Sequence, residues 1–303
     1  ELFNLNNKKN KLNINDLGYL IGPILNAGGR LGKSNFASEL LSSNDLELVR
    51  IKSDELIKLN NKRKQIETLI LSEINFQKIE NENKDVIIYY NPNINEGLIG
   101  IIAAKLKDYF NKPCIVITNS NKLLKGSARS VFNYNIGRAI KNSLNMNIII
   151  NGGGHNAAAG FTLHKSFLKN FENFILKDFL NSGSIRNNTY LYDAELSSII
   201  FNRDFYNYIK KLEPFGTGNP VPTFLLKDLK VIKSTIINNQ HISVILKSRI
   251  GFSIKSISFN SINNKIGNHL LNYKKTLNVL GQISENIWNN KKTLQLTITD
   301  VIL

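Results

Sequence analysis

Hydrophobic positions along the 303-residue chain fall into three regimes. Between about residues 45 and 78, Ile66, Leu69, Ile70 and Ile74 recur at helical spacing among Lys, Glu and Asn. This predicts one long helix, a strut whose charges form its solvated side. From Asp85 onward, apolar runs alternate with amphipathic stretches. Strands are predicted at 86–90, 114–118 and about 124–130, helices at 97–110, 136–142 and 167–180, and a buried strand at 147–150. Such alternation implies a mixed or parallel sheet covered by helices. Beyond Pro222 the period drops to two: Leu294, Leu296 and Ile298 alternate with Gln295, Thr297 and Thr299, and Asn289-Asn290 fits a tight turn pairing that strand with 277–287. Several short strands in this last part predict a small barrel of the OB type.

Breakers separate these regimes. Residues 1–20 begin polar and turn apolar at Leu17, Tyr19 and Leu20. In IGPILNAGGRLGKS, residues 21–34, Pro23, Gly28, Gly29 and Gly32 surround Arg30 and predict a loop, with Ser34 or Asn35 capping a helix through Phe36, Leu40 and Leu41. Residues 182–188 read as a polar linker, a short helix is expected near 204–212, and EPFGTGNPVP, 213–222, reads as a rigid connector. The domains so drawn are 1–80, a helical connector with a Gly-rich Arg loop; 81–185, an α/β domain; and 186–303, a linker with the barrel.

The stretch NGGGHNAAAG, residues 151–160, reads as a turn after a buried strand. Glycine permits positive φ and close approach, so successive N–H groups of such a loop can converge on an anion, with His155 beside them as a donor. The plain alternative is a glycine turn with a surface histidine. Ligands of such sheets gather at the carboxyl ends of strands, where this loop and the 127–130 segment are expected.

Charge sharpens the picture. The net charge of +16 suits a polyanionic partner, although crowding by Asn, Ile and Lys, as an AT-rich coding sequence produces, gives the same sign. Lysines outnumber arginines 31 to 8, yet Arg30 and Arg129 both stand in small-residue motifs. A planar guanidinium grips phosphate with two bonds where Lys offers a point charge. Residues 221–303 hold 11 Lys and Arg against 3 Asp and Glu, half of the net charge. A basic barrel suits a single strand, with Trp288 placed to stack on a base or to fill the rim. No apolar run reaches the roughly 20 residues of a membrane helix. Cys114 is the single cysteine, which excludes internal disulfides and CxxC metal sites, so a cytoplasmic setting is expected. With Glu1 first and Met146 the single methionine, the chain is expected to be a piece of a longer one.

In order along the chain, IGPILNAGGRLGKS, NEGLIGIIAAKL, KGSARS, GGGHNAAAG and LEPFGTGNPVPTFLL, with the ending GQISENIWNNKKTLQLTITDVI, resemble the RecJ family of single-stranded-DNA-specific exonucleases, in the DHH phosphoesterase superfamily. The resemblance spans nearly all of the chain. It implies an α/β DHHA1 domain, preceded by a long helical connector and followed by an all-β OB-type barrel. It also implies 5′-to-3′ phosphodiester hydrolysis in DNA repair and recombination, using Mn2+ or Mg2+ held by a DHH domain upstream of these residues. The four histidines, His155, His164, His241 and His269, are widely separated, so no metal ligand is expected here and this part alone is expected to be inactive.

Carried over by motif, Arg30 touches the DNA backbone, Ser127 and Arg129 clamp the 5′ phosphate, and Gly153, Gly154 and His155 hold the phosphate near the scissile bond, with His155 as catalytic donor. Where the family often has Trp-His, this chain has Ile94-Asn95, which hydrogen-bonds but shuttles no proton. The partners implied are single-stranded DNA, a single-strand-binding protein and a helicase, with no membrane. The competing readings are a stand-alone single-strand-binding module and a DHHA1 phosphoesterase acting on short oligonucleotides or cyclic dinucleotides.

Overall fold

A computed structural model of the chain describes residues 2, 14–131, 133–183, 190–216, 218–262, 264–272, 276–288 and 291–302. The expected Asn289-Asn290 turn, most of the polar linker and the Trp288 side chain lie outside what is described. The chain divides into two compact units, Glu1–Asn187 and Asn188–Leu303.

In the first unit, a helical turn at Ile14–Asp16 and a π-helical stretch at Leu17–Ile21 lead into helix α1, Gly22–Arg30. This corrects the loop expected there. Pro23 lies in the first turn, where its missing N–H costs no helical bond. Gly28 is required for space, since a Cβ there would sit 2.6 Å from the Lys33 carbonyl oxygen and 3.3 Å from Leu56 Cδ2. The chain turns after Arg30, with Gly32 at φ +82°.

Helix α2, Phe36–Ser42, follows, and then α3, Leu46–Glu73. Asp45 Oδ1 caps α3 by accepting from the Glu47 and Leu48 N–H groups. The single helix expected to residue 78 is instead two, because the extended Ile74 and Asn75 intervene and the Asn75 side chain caps α4, Phe76–Asn81. The solvated side is also different from the one expected: Asn60, Glu67 and Ile70 are buried with Leu56, whereas Leu69 is 63% exposed.

The sheet of this unit has the order β1-β2-β3-β5-β4, built from β1 (Ile87–Tyr90), β2 (Cys114–Ser120), β3 (Leu123–Arg129), β4 (Asn151–His155) and β5 (Ala158–Leu163). It is mixed: β1 is parallel to β2, and the other neighbours run antiparallel. Helix α5, Ile99–Phe110, covers one face, and α6, Ile136–Asn145, with α7, Leu168–Asn181, covers the other. The alternation of β2 shows why. Cys114 and Val116 pack with Ile99, Ile102 and Leu106, while Ile115 and Ile117 pack with Ile140, Phe171 and Ile175. Phe171, Ile175 and Phe179 form the buried face of α7, while Phe167, in the turn just before it, is 40% exposed.

Residues 147–150 form turns and bends, with Asn147 at φ +57°, rather than the buried strand expected. The glycines are themselves the strand, β4, and none of Gly152, Gly153 and Gly154 has positive φ. An anion nest built on left-handed glycines is therefore not what they form. Two of them make room for packing: a Cβ on Gly152 would meet Ile140 Cγ2 at 2.8 Å, and one on Gly154 would meet the Ala158 carbonyl oxygen at 2.3 Å. From the other side, a Cβ on Gly137 of α6 would lie 2.8 Å from the His155 backbone, so α6 lies directly on β4.

The second unit contains β6 (Ala194–Glu195), α8 (Arg203–Lys210), β7 (Phe224–Ile237), β8 (His241–Lys247), β9 (Ser253–Ser258), α9 (Lys265–Leu271), β10 (Leu277–Trp288) and β11 (Lys291–Ile302). Strands pair in the order β7-β8-β9-β11-β10, and β10 pairs back on β7, closing a five-stranded barrel with β6 added outside. A helix between the third and fourth barrel strands completes the OB connectivity. Leu226, Val231, Ile242, Val244, Ile254, Val279, Leu296 and Ile298 fill its core. Irregularities at Val231/Lys233 and Leu280/Gly281 supply the extra bend that closure needs.

Candidate anion-binding cleft

Three motifs of the first unit meet at the start of α5. Asn95 Oδ1 accepts the Gly97 N–H at 2.8 Å, turning the chain into the helix. Gly97 lets the end of α1 dock there, since a Cβ would lie 2.2 Å from the Arg30 carbonyl oxygen. The Arg30 side chain returns the contact, with Nη1 donating to the Gly97 carbonyl at 3.0 Å. One turn further on, Gly100 leaves space for β3: a Cβ there would sit 3.0 Å from Arg129 Nη2 and 3.1 Å from Ser127 Oγ. Arg129 Nη1 in turn donates to Ser127 Oγ at 3.1 Å and to the Ala128 carbonyl at 2.8 Å.

Arg30, Gly97, Gly100, Ser127 and Arg129 line a cavity of about 520 Å³ together with Glu96, Lys125, Asn151, Gly160 and Thr162. Its lining carries three cations, Arg30, Lys125 and Arg129, and one carboxylate, Glu96. Burial, then the neighbouring Arg63, pull the Arg30 pKa below the ordinary arginine value, with Glu67 opposing. Burial and then Arg30 do the same to Arg129. Among the described residues neither guanidinium has a carboxylate partner at ion-pair distance. Two half-buried cations that repel one another gain when an anion lies between them, and both stay charged at any cellular pH. Lys125 differs, being tied at 2.8 Å to Glu96.

Strand register extends the site across the sheet. Ser127, Gly160 and Gly153 stand in one cross-strand row, and Arg129, Ala158 and His155 in the next. All of these positions share the face that α5 covers farther along the sheet. Since adjacent strands lie about 4.8 Å apart, β3 and β4 bound a strip roughly 10 Å wide, floored by the small residues of β5. Gly153 faces open space, with nothing within 4 Å of an added Cβ.

Of the residues singled out by sequence, the cavity gathers Arg30, Ser127 and Arg129. Gly153 and His155 lie on the same face but outside the cavity lining, and Gly154 is turned into packing. His155 is exposed, and its Nδ1 accepts the Ala157 N–H at 3.3 Å, which leaves Nε2 as the free ring nitrogen. Sequence reasoning missed Gly97 and Gly100 as residues of the site: the first makes room for Arg30 and the second for Ser127 and Arg129, neighbours that only the fold brings there.

Among the described residues no group of three or more His, Cys, Asp or Glu side chains could hold a metal ion. The cleft has three cations to one carboxylate, so these residues do not fit a divalent metal. In the second unit, Lys247 and Lys255 are exposed on β8 and β9, and Phe259, 51% exposed, meets His241 edge-on at 5.2 Å. That is the pair of strands on which OB barrels bind oligonucleotides.

A family model described as the DHHA1 domain matches residues 83–181, and one described as the RecJ OB domain matches residues 192–300. The first unit thus carries a DHHA1 sheet, and the second is an OB barrel of the RecJ type. The single-stranded-DNA-specific exonuclease RecJ of Haemophilus influenzae is 31% identical over 259 residues, which cover 81% of this chain and 45% of that protein. RecJ of Bacillus subtilis is 27% identical over 294 residues, covering 94% of this chain and 36% of that protein. A crystal structure of RecJ in complex with Mn2+ from Thermus thermophilus shares the fold with a TM-score of 0.78 at 22% identity, over 96% of this chain and 42% of that one. The chain belongs to the RecJ family, and it spans less than half the length of these relatives. Among the described residues no helix is long and apolar enough to cross a membrane.

Proposed function

We propose that this chain is the substrate-gripping part of a 5′-to-3′ single-stranded-DNA exonuclease of DNA repair and recombination, acting in the cytoplasm. Residues 1–80 connect and supply Arg30, 81–185 hold the DNA end with it, and 186–303 bind the strand behind that end. The observation that carries this reading is that the Arg30 and Arg129 guanidiniums, neither with a carboxylate at ion-pair distance among the described residues, face one cavity beside the Ser127 hydroxyl. A terminal phosphate accepts two bonds from each guanidinium and one from the hydroxyl, which fixes the strand end in register. Gly153 and Gly154 leave the backbone open to the next phosphate, and His155 Nε2 donates to it. The aspartates that hold Mn2+ or Mg2+ belong to a part of the protein outside these residues, so this chain binds without cutting.

The test is binding of 5′-phosphorylated and 5′-hydroxyl single strands in chelator, in parallel with degradation in Mn2+. Binding in chelator with a preference for the phosphorylated end, lost in Arg129→Ala, is expected. Metal-dependent cutting by these residues alone would overturn the division of labour, and an unchanged preference in Arg129→Ala would overturn the clamp.

A further inference from the structure

Along α3, residues 56, 60, 63, 67 and 70 form one stripe turned away from solvent. Its ends are apolar: Leu56 packs with Ile24 and Leu40, and Ile70 packs with Leu98, Ile102 and Leu106. Between them stand Asn60, Arg63 and Glu67. Arg63 Nε donates to Asn60 Oδ1 at 3.1 Å and its Nη1 to Glu67 Oε2 at 2.8 Å, while Lys105 Nζ on α5 reaches Glu67 Oε1 at 2.6 Å. Glu67 is only 6% exposed. Apolar side chains here would join the two flanking cores, and a buried ion pair is seldom more stable than such a replacement. The fold alone does not call for this charge.

Its place does. Arg30 lies at the end of α1, which packs on α3, and the fields of Arg63 and Glu67 both reach its guanidinium, with opposite sign. Arg30 and Arg129 then share the cavity. The cavity lining carries the cations Arg30, Arg129 and Lys125 and the carboxylate Glu96, which is tied to Lys125; Arg63 and Lys105 stand outside the lining, with Glu67 the carboxylate bonded between them. We propose that Glu67 is a positioning residue that holds Arg63 back from Arg30 and sets how strongly the cleft draws a terminal phosphate. The inference rests on the reading of the cleft given above. An exonuclease must release each new 5′ end to advance, so a grip tightened in the ground state slows turnover. Glu67 supplies the counter-charge that keeps the grip reversible.

The experiment measures affinity for 5′-phosphorylated and 5′-hydroxyl oligothymidylate in chelator, for the chain and for Glu67→Gln, Glu67→Asp, Lys105→Gln and Arg129→Ala. Glu67→Gln is expected to tighten binding of the phosphorylated strand by roughly three- to tenfold, the scale of one nearby charge after screening, and to leave the hydroxyl strand unchanged. Glu67→Asp is expected to stay near the parent. Lys105→Gln removes a half-exposed cation and is expected to weaken the phosphorylated strand by roughly two- to threefold. Equal weakening by Glu67→Gln and Lys105→Gln, or no change, would mean a structural role and overturn the inference. If Glu67→Gln fails to fold, Lys105→Gln binding like the parent overturns it as well. Arg129→Ala with unchanged preference is a separate outcome, which removes the cleft reading itself.

Discussion

Gly100 faces Arg129 so closely that a methyl group in place of its hydrogen would lie 3.0 Å from Nη2 of the guanidinium. The crowded atom is the far end of a flexible side chain, so Gly100→Ala is expected to fold and to displace Arg129 from Ser127. Losing part of a charge-assisted contact costs about 1 kcal/mol, or roughly fivefold in affinity for a 5′-phosphorylated strand. Unchanged affinity with an unchanged melting temperature would show that Arg129 does not need this position.

Gly137 makes the opposite kind of contact. The atoms 2.8 Å from its virtual Cβ are the His155 backbone, which cannot swing away. Gly137→Ala is expected to push α6 off β4 and lower stability by about 1–3 kcal/mol, the range for overpacking a tight interface. Thermal unfolding checks this. A melting temperature equal to the parent's would mean that α6 sits farther from β4.

Glu96 makes stability depend on pH. Its hydrogen bonds with Lys125 first and Ser120 second hold its carboxyl below the ordinary value of 4.5. The stabilising contribution is therefore present above about pH 4.5 and is lost as pH falls through the lower value imposed by the folded protein. The pair is largely exposed, so the effect is small and screened by salt. Glu96→Gln is expected to lower the melting temperature slightly at pH 7 and by less at pH 3. An equal deficit at both values would mean that the loss is steric rather than ionic.

Lys255 stands exposed on β9, paired with Ile245 of β8 on the outer barrel face. If a single strand runs over this face, Lys255→Ala is expected to weaken binding to a long oligonucleotide and to reduce the slope of log affinity against log salt by about one. A very short 5′-phosphorylated strand is expected to be affected less. An unchanged slope on the long strand would place the backbone elsewhere.

The fold was legible where the sequence carried a period. The run Cys114 to Thr118 and the alternation around Leu296 each specify a strand by one physical rule, and both strands are where the rule puts them. Glycine was harder to read, because it signals either positive φ or the need for no side chain. At Gly152, Gly154 and Gly28 the second meaning holds, and a strand and a helix stand where turns were expected. The small residues of 157–160 likewise hid β5, although Ala159, Phe161 and Leu163 alternate inward. Of the site, Arg30, Ser127 and Arg129 were singled out from small-residue motifs and lie in one cleft. Asn60, Arg63 and Glu67 escaped because a charge on an amphipathic helix reads as solvated until the helix has neighbours on both sides.

Helix α3 is shared between two cores, one under α1 and α2 and one under the sheet. At about 1.5 Å per residue its 28 residues run some 42 Å, so one continuous element ties the two cores together. Unfolding of the first unit is therefore expected to be a single event in which amides near Leu56 and Ile70 exchange with solvent at the same free energy. Exchange near Leu56 at a lower free energy than near Ile70 would instead show α1 and α2 opening from α3 while the sheet stays folded.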